Sequence, residues 1–325
     1  MRKHCTESVV FYGVIGLALA LYEPINECIV VAALNDVDRP PCSALAGDTL
    51  PEITGPITAS FPMTAEQAGQ VQENAARQLG LPKEIRLDFG GGVEIELVLI
   101  PAGEFLMGSP DTEPHRNADE GPQHRVRIPQ PFYMGKYEVT QAQWQAVMRK
   151  NPATFKGDDR RPVENVSWDD CQKFCRWLSA KLGQTIRLPT EAEWEYACRA
   201  GSPAPYHYGD SVSDLDAYAW YRQNSEGATH PVGRKKPNAF GLYDLHGNVW
   251  EWCADVWHDN YQGAPADGSA WIKGGNSAGR ILRGGAWDYG PRDCRAAYRN
   301  GSAAGCRKCG SGLRLVAVID PAPDR

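Results

Sequence analysis

The chain has 325 residues, enough to bury a core without disulfide or metal staples. Its 34 Lys and Arg against 40 Asp and Glu give a net charge of -6, so no global basic field is available to hold a phosphate backbone, and nucleic acid is excluded as an expected partner. Aromatic residues at 10% and charged residues at 23% argue against a disordered or polytopic membrane chain, while 33 Gly and 24 Pro predict much irregular backbone.

The chain opens on Met1-Arg2-Lys3-His4, and an apolar stretch runs from Val9 to Leu21. That stretch is short for a membrane span and suits a signal h-region; export or anchoring and a cytoplasmic extension both stay open. Residues 36–62 are rich in Pro, Ala, Thr and Ser without periodicity and read as a linker, so 1–62 is taken as an N-terminal segment with linker. Thr64 and Gln67 form a capping box that predicts a helix to Leu79, stopped by Gly80 and Pro82; 63–89 is this lead-in helix and its connection. Val93 to Ile100 alternates and then becomes continuously apolar, as a strand entering a core does, and the main domain spans 90–318. Further capping boxes at Thr140/Gln143, Ser167/Asp170 and Thr190/Glu193 predict three more helices. Trp168, Cys171, Phe174, Cys175 and Leu178 fall at helical spacing, which assigns these two cysteines to a core face. Beyond Gly201 the pattern turns to short aromatic runs between Gly, Asn, Asp and Pro, with a closing strand at Arg314-Leu315-Val316. Cys306 and Cys309 form a lone CxxC without the second half of a zinc site.

Several segments occur in a specific order: Ile100-Pro101-Ala102-Gly103-Glu104-Phe105-Leu106-Met107-Gly108-Ser109, Tyr137-Glu138-Val139-Thr140, Pro162-Val163-Glu164-Asn165-Val166-Ser167-Trp168, Arg187 to Ala197 (RLPTEAEWEYA), Gly241-Leu242-Tyr243-Asp244, Gly247-Asn248-Val249-Trp250-Glu251-Trp252 and Arg283-Gly284-Gly285-Ala286-Trp287. Together they resemble the formylglycine-generating enzyme, or sulfatase-modifying factor, family over roughly residues 90 to 316. The resemblance implies an α+β chain with a C-type lectin-like fold, in which a modest sheet and a few helices support long ordered loops. It also implies a calcium site in which Asp244 and Glu251 give side-chain oxygens and Gly247 and Val249 backbone carbonyls, the hard-oxygen donor set that calcium prefers.

The oxidase branch of that family holds Cu+ with two cysteine thiolates and converts a cysteine of a sulfatase-type polypeptide to formylglycine; soft thiolates suit Cu+. Counting forward from Gly284-Gly285 puts Tyr289 at the first cysteine position and leaves Cys294 at the second, whereas counting back from Gly312-Leu313-Arg314 leaves neither. Cys294 is therefore the catalytic candidate only under the oxidase alternative.

Arg283 to Val316 also resembles the C-terminal segment of variable proteins of diversity-generating retroelements, with Cys294-Arg295-Ala296-Ala297-Tyr298-Arg299-Asn300 as scaffold. That resemblance implies a non-catalytic protein that displays a ligand-binding surface to an unknown protein or glycan. Its candidate residues are Trp287, Asp288, Tyr289, Gly290, Arg292, Asp293, Tyr298, Gly301, Ser302, Cys306, Gly310 and Ser311. Tyr anchors among small and polar loop residues are the composition of an adaptable binding surface.

Overall fold

The computed structural model describes residues 59–319, so the N-terminal apolar stretch and most of the linker lie outside the described residues. In chain order the elements are β1 (Ala59–Ser60), α1 (Ala65–Leu79), β2 (Glu84–Asp88), β3 (Glu94–Ile100), β4 (Gly103–Met107), β5 (His124–Ile128), β6 (Phe132–Gly135), α2 (Gln141–Met148), α3 (Trp168–Leu182), β7 (Ile186–Arg187) and α4 (Glu191–Arg199). They continue with β8 (Trp250–Trp257), β9 (Asn276–Arg283), β10 (Asn300–Ala303), β11 (Ser311–Gly312) and β12 (Val316–Val318), joined by long ordered loops.

Each of the four helices begins where its capping box stands. Thr64, Thr140, Ser167 and Thr190 accept from the backbone N–H three residues on, and the side chains of Gln67, Gln143, Asp170 and Glu193 return to the cap's own N–H. Gly80 and Gly183 end α1 and α3 at φ of +63° and +64°, a conformation that a Cβ disfavours. The closing strand starts at Val316, two residues later than the sequence pattern suggests, because the Arg314 side chain is drawn into the interior by Glu251.

Three sheets result. The largest runs β2-β3-β6-β12-β7 with antiparallel neighbours throughout. A small sheet joins β1, β4 and β5, and a four-stranded sheet runs β10-β9-β8-β11, its last pair parallel. Between α2, α3 and the large sheet lies one core cluster in which Trp144 stacks on Phe174 at 5.0 Å and Cys171 and Cys175 are buried as expected. A second cluster forms around α4, where Trp194, Tyr196 and Phe240 are fully buried. Two indole N–H groups reach backbone partners, Trp252 donating to the Val166 carbonyl at 3.0 Å and Trp168 to the Cys253 carbonyl at 2.8 Å, whereas the Trp250 indole nitrogen is buried without one.

Alongside the apolar clusters runs a charged interior. Glu191 and Glu195 sit one turn apart on α4, so both face the same side. Arg283, at the end of β9, donates to Glu195 at 2.5 Å and to Glu191 at 3.0 Å; Arg299 grips Glu191 with two bonds at 2.7 and 3.0 Å, and Arg199 donates to Glu195 at 2.8 Å. All five side chains are buried. Removing one member leaves an uncompensated buried charge, so Arg283→Met is expected to lower stability by about 3–5 kcal/mol in a guanidinium unfolding titration. Loss of the exposed Arg125–Glu104 pair is expected to cost about 0–1 kcal/mol. Equal effects of the two substitutions would contradict the role given to the network.

Candidate functional site

The charged interior fixes the C-terminal loop that carries most of the candidate residues. A 3₁₀ turn at Pro291–Cys294 is followed by Arg295, whose guanidinium donates to Glu120 at 2.5 and 2.8 Å and also to Glu113. Four residues on, Arg299 is held by Glu191 and by the Asp119 and His258 carbonyls at 2.8 and 2.9 Å. Burial alone would raise the Glu191 carboxyl, but Arg299 and Arg283 hold it below the ordinary carboxylate value, as the charged partner they require. Burial and the Glu113 and Glu120 pairing thus clamp the loop Pro291 to Asn300 against the segment Glu113 to Glu120.

On the outer side of this clamp lie two clefts. One, of about 740 Å³, is walled by Pro110, Pro114, Pro203, Pro205 and Pro291 with Tyr206, and carries Arg292 and Asp210 at its mouth. The other, of about 530 Å³, is bounded by Asn117, Asp119, Trp257, Tyr298 and the strand β10. Arg292 of the first donates to Asn117 of the second at 2.9 Å. Thr112, Glu113, His115 and Arg295 also line the first, so its proline walls are joined by several polar and charged groups that can orient a ligand.

The twelve candidate residues are therefore not one patch. Arg292 lines the first cleft, while Tyr298, Gly301 and Ser302 line the second. Trp287, Asp288 and Tyr289 form a third region: the Trp287 indole donates to the Cys309 carbonyl at 2.9 Å and meets Phe155 edge-on at 5.0 Å, and Tyr289 meets Trp250 edge-on at 5.0 Å. Their backbone is pinned from the neighbouring loop, with Arg222 donating to the Asp288 and Tyr289 carbonyls and Ser225 to that of Trp287. Gly290 and Asp293 cap the 3₁₀ turn, where the Asp293 carboxylate accepts from the Gly290 N–H at 3.1 Å. Cys306 is half-buried on the loop after β10. Gly310 and Ser311 are buried, Ser311 in register with Trp250, so these two belong to the scaffold rather than to an accessible face. The sequence reading missed Glu113, Asn117, Glu120 and the proline wall. Their partners lie about 180 positions away along the chain, and no local pattern signals such contacts.

Cys294 is fully buried beside Tyr206, Tyr221, Leu215 and Ala219. A Cβ placed on Gly285, whose φ is +83°, would come within 2.7 Å of its sulfur, so the glycine is needed for the thiol to fit. Burial first, and then the Asp293 carboxylate, push the thiol well above its ordinary value, the opposite of what a thiolate ligand requires. Cys306 and Cys309 stand on the outer loop, and all seven described cysteines are free thiols. The donor set at Cys294 is a single protonated sulfur among aromatic rings and does not fit a two-thiolate Cu+ centre.

The residues named for calcium, Asp244, Gly247, Val249 and Glu251, are all buried. Asp244 accepts from the Gly233 N–H at 2.7 Å through one oxygen, and its Oδ1 is buried without a partner. Burial pushes this carboxyl up to about 6. Glu138, also fully buried, accepts from Asn248 at 2.6 Å and from the Val249 N–H at 3.0 Å; burial, then Asp244 and Glu251, raise it well above the ordinary value. Glu251 accepts from Trp194 at 2.6 Å and from Arg314 at 2.7 Å. Three buried carboxylates thus share one buried guanidinium. Gly247 cannot carry a side chain, since a Cβ would meet the Trp220 carbonyl at 2.2 Å. The unpaired Asp244 oxygen and the excess of carboxylate charge suit a hard divalent cation. Among the described residues no group of three or more His, Cys, Asp or Glu is already gathered as ligands, so two of the oxygens would have to come from the Gly247 and Val249 carbonyls.

Comparison with known proteins places this architecture. The sulfatase-modifying factor enzyme 1-like domain model matches residues 93–319. The chain is 32% identical over 235 residues to the chaperone protein LppX of Paenibacillus barcinonensis, spanning 57% of this chain and 79% of that one. It is 27% identical over 277 residues to the formylglycine-generating enzyme of Thermomonospora curvata, spanning 66% and 88%. Among solved structures, PvdO from Pseudomonas aeruginosa shares 34% identity with a TM-score of 0.67 over 73% of this chain and 99% of its own. Treponema denticola variable protein 1 shares 31% identity with a TM-score of 0.67 over 73% and 100%. The mixed sheets, four short helices and long pinned loops are the C-type lectin-like fold shared by these proteins, and the chain belongs to the sulfatase-modifying factor family.

Proposed function

We propose that this chain is a non-catalytic, ligand-binding member of its family, in which the clamped C-terminal loop presents Arg292, the Trp287-Asp288-Tyr289 region and the adjoining clefts to a protein or glycan ligand. The observation that carries this reading is the setting of Cys294. Its sulfur is enclosed by aromatic side chains and Gly285, and its raised titration keeps the proton on. The cleft that shares Tyr206 with it is lined by prolines and by the charges of Glu113, Asp210, Arg292 and Arg295, a surface that can orient a ligand without reacting with it. The similarity to Treponema denticola variable protein 1 supports a binding role, as does the Tyr, Asp, Gly and Ser composition of this chain's C-terminal loops.

Aerobic incubation of the reduced, Cu+-loaded protein with a Cys-Thr-Pro-Ser-Arg peptide tests this reading by mass spectrometry. The peptide mass is expected to stay unchanged. Conversion to the aldehyde that disappears in Cys294→Ser would establish the oxidase alternative, with a sulfatase-type polypeptide as substrate.

Calcium belongs to the same proposal as a stabiliser of the Asp244 to Glu251 loop. Asp244 and Glu251 would supply side-chain oxygens and Gly247 and Val249 carbonyls, and the ion would offset the carboxylate excess around Glu138. Anything that binds the native state alone stabilises it, by about 2.7 kcal/mol at a hundredfold excess over Kd. Addition of millimolar calcium to chelator-treated protein is expected to raise Tm, and Asp244→Ala to abolish the increase. An equal response in wild type and Asp244→Ala would remove calcium from this loop.

A further inference from the structure

Asn300 and Gly301 form the one Asn-Gly pair in the chain. In such a pair the following backbone nitrogen reaches the asparagine side-chain carbon most easily, because glycine has no Cβ to obstruct the approach and adopts the widest range of backbone angles. Packing fixes the glycine here. A Cβ on Gly301 would come within 2.7 Å of the six-membered ring of Trp257, and one on Gly279 within 2.9 Å of the Trp257 Cβ. Trp257 thus lies across the glycines of both paired strands, and residue 301 has no room for a side chain.

The ladder leaves the Gly301 nitrogen free. β10 pairs Asn300 with Leu282, Gly301 with Ile281, Ser302 with Arg280 and Ala303 with Gly279, and just beyond it the Ala304 N–H donates to the Ala278 carbonyl. Antiparallel pairing alternates, so Asn300 and Ser302 turn their backbone groups toward β9 while the Gly301 N–H turns away. That N–H donates instead to Oδ1 of its neighbour Asn300 at 2.8 Å. The bond folds the carboxamide back along its own main chain and holds Cγ, one bond from Oδ1, beside the Gly301 nitrogen. Gly301 is exposed, Asn300 is half-buried, and β10 is the end strand of its sheet, so water and hydroxide reach the pair. Asn276, on the same cleft, differs: Ser277 follows it, and its Oδ1 accepts from the Ala278 N–H two residues on at 3.1 Å.

We propose that Asn300 is a site of spontaneous deamidation in the folded protein, converting through a succinimide to aspartate and isoaspartate. The Gly301 N–H gives its proton to hydroxide, the nitrogen bonds to Cγ, and the side-chain nitrogen takes up a proton and leaves as ammonia. Ring closure turns the Asn300 peptide out of the ladder, so its bonds to Leu282 must open first; a four-residue end strand opens by local fraying. Water then opens the ring. Addition at Cγ gives aspartate, and addition at the main-chain carbonyl gives isoaspartate, whose backbone runs through Cγ with one added methylene. Either product brings a further carboxylate to the cleft that Asp119 lines, and isoaspartate also disturbs the register of Gly301 to Ala303 against β9. The cleft therefore changes its charge and its β10 wall as the protein ages, whether or not it holds a ligand.

Full-chain protein, folded in buffer or unfolded in guanidinium, is held at pH 8 and 37 °C, sampled over several weeks, digested at acid pH and mapped by mass spectrometry. Isoaspartate is assigned by labelling with protein isoaspartyl methyltransferase. Asn300 of the folded protein is expected to convert to both products at a rate within about tenfold of the unfolded chain, while Asn276 stays intact over the same interval. The signal is expected to vanish in Asn300→Gln, where closure would need a six-membered ring. Conversion in the folded protein more than tenfold slower than in the unfolded chain would show that the ladder to Leu282 protects Asn300 and would overturn the proposal. Conversion of Asn276 as fast as Asn300, or a signal that persists in Asn300→Gln, would overturn it as well. The comparison of folded with unfolded wild type stands even if the variant folds poorly.

Discussion

The structure depends on guanidinium groups held away from water. Arg199, Arg283, Arg295, Arg299 and Arg314 are buried, and each must find carboxylates and carbonyls inside the protein because desolvating an unpaired charge costs several kcal/mol. Glu191 and Glu195 on one face of α4 satisfy three of them, Glu113 and Glu120 satisfy Arg295, and Glu251 satisfies Arg314. Since four of these arginines come from β9 or the irregular C-terminal third and the carboxylates come from earlier segments, the pairing fixes loops that have little sheet or helix of their own. A fold with this much irregular backbone needs such ties, because its loop amides cannot be satisfied by regular ladders.

This division of labour leaves the outside of the loop free. The anchoring groups Glu113, Arg295 and Arg299 are buried at the two clefts that Arg292, Tyr298, Gly301, Ser302 and Ala303 border. Substitutions at those outward positions leave the ion pairs untouched, so a surface of this kind can change its ligand without losing its scaffold. The same arrangement accounts for Cys294: it sits on the inward side, packed against Gly285 and Tyr206, where a thiol acts as a small apolar group.

The helices and the family were legible in the sequence because their signals are local. Capping boxes span four residues, and the Arg187 to Ala197 and Gly247 to Trp252 runs are contiguous. The candidate site was legible only in part. Arg292 and Tyr298 line clefts, but Gly310 and Ser311 are buried because the Gly310 carbonyl accepts from the Trp250 N–H and the two-residue strand Ser311–Gly312 pairs with β8. The strand β10 has no apolar alternation and no β-branched residue, so nothing in Asn-Gly-Ser-Ala announces it; pairing with β9 imposes it. Glu113 and Glu120 carry no sign of their partner Arg295 for the same reason, that a contact between distant segments is set by the fold and not by spacing.

The central claim is that Cys294 belongs to the scaffold and not to a reactive centre. Pulse labelling of the native protein with iodoacetamide, read site by site by mass spectrometry, tests it most directly. Cys294 is expected to remain unlabelled until the protein is unfolded, while the exposed Cys309 labels in the native state. Native labelling of Cys294 as fast as Cys309 would show an accessible thiolate there and contradict the account.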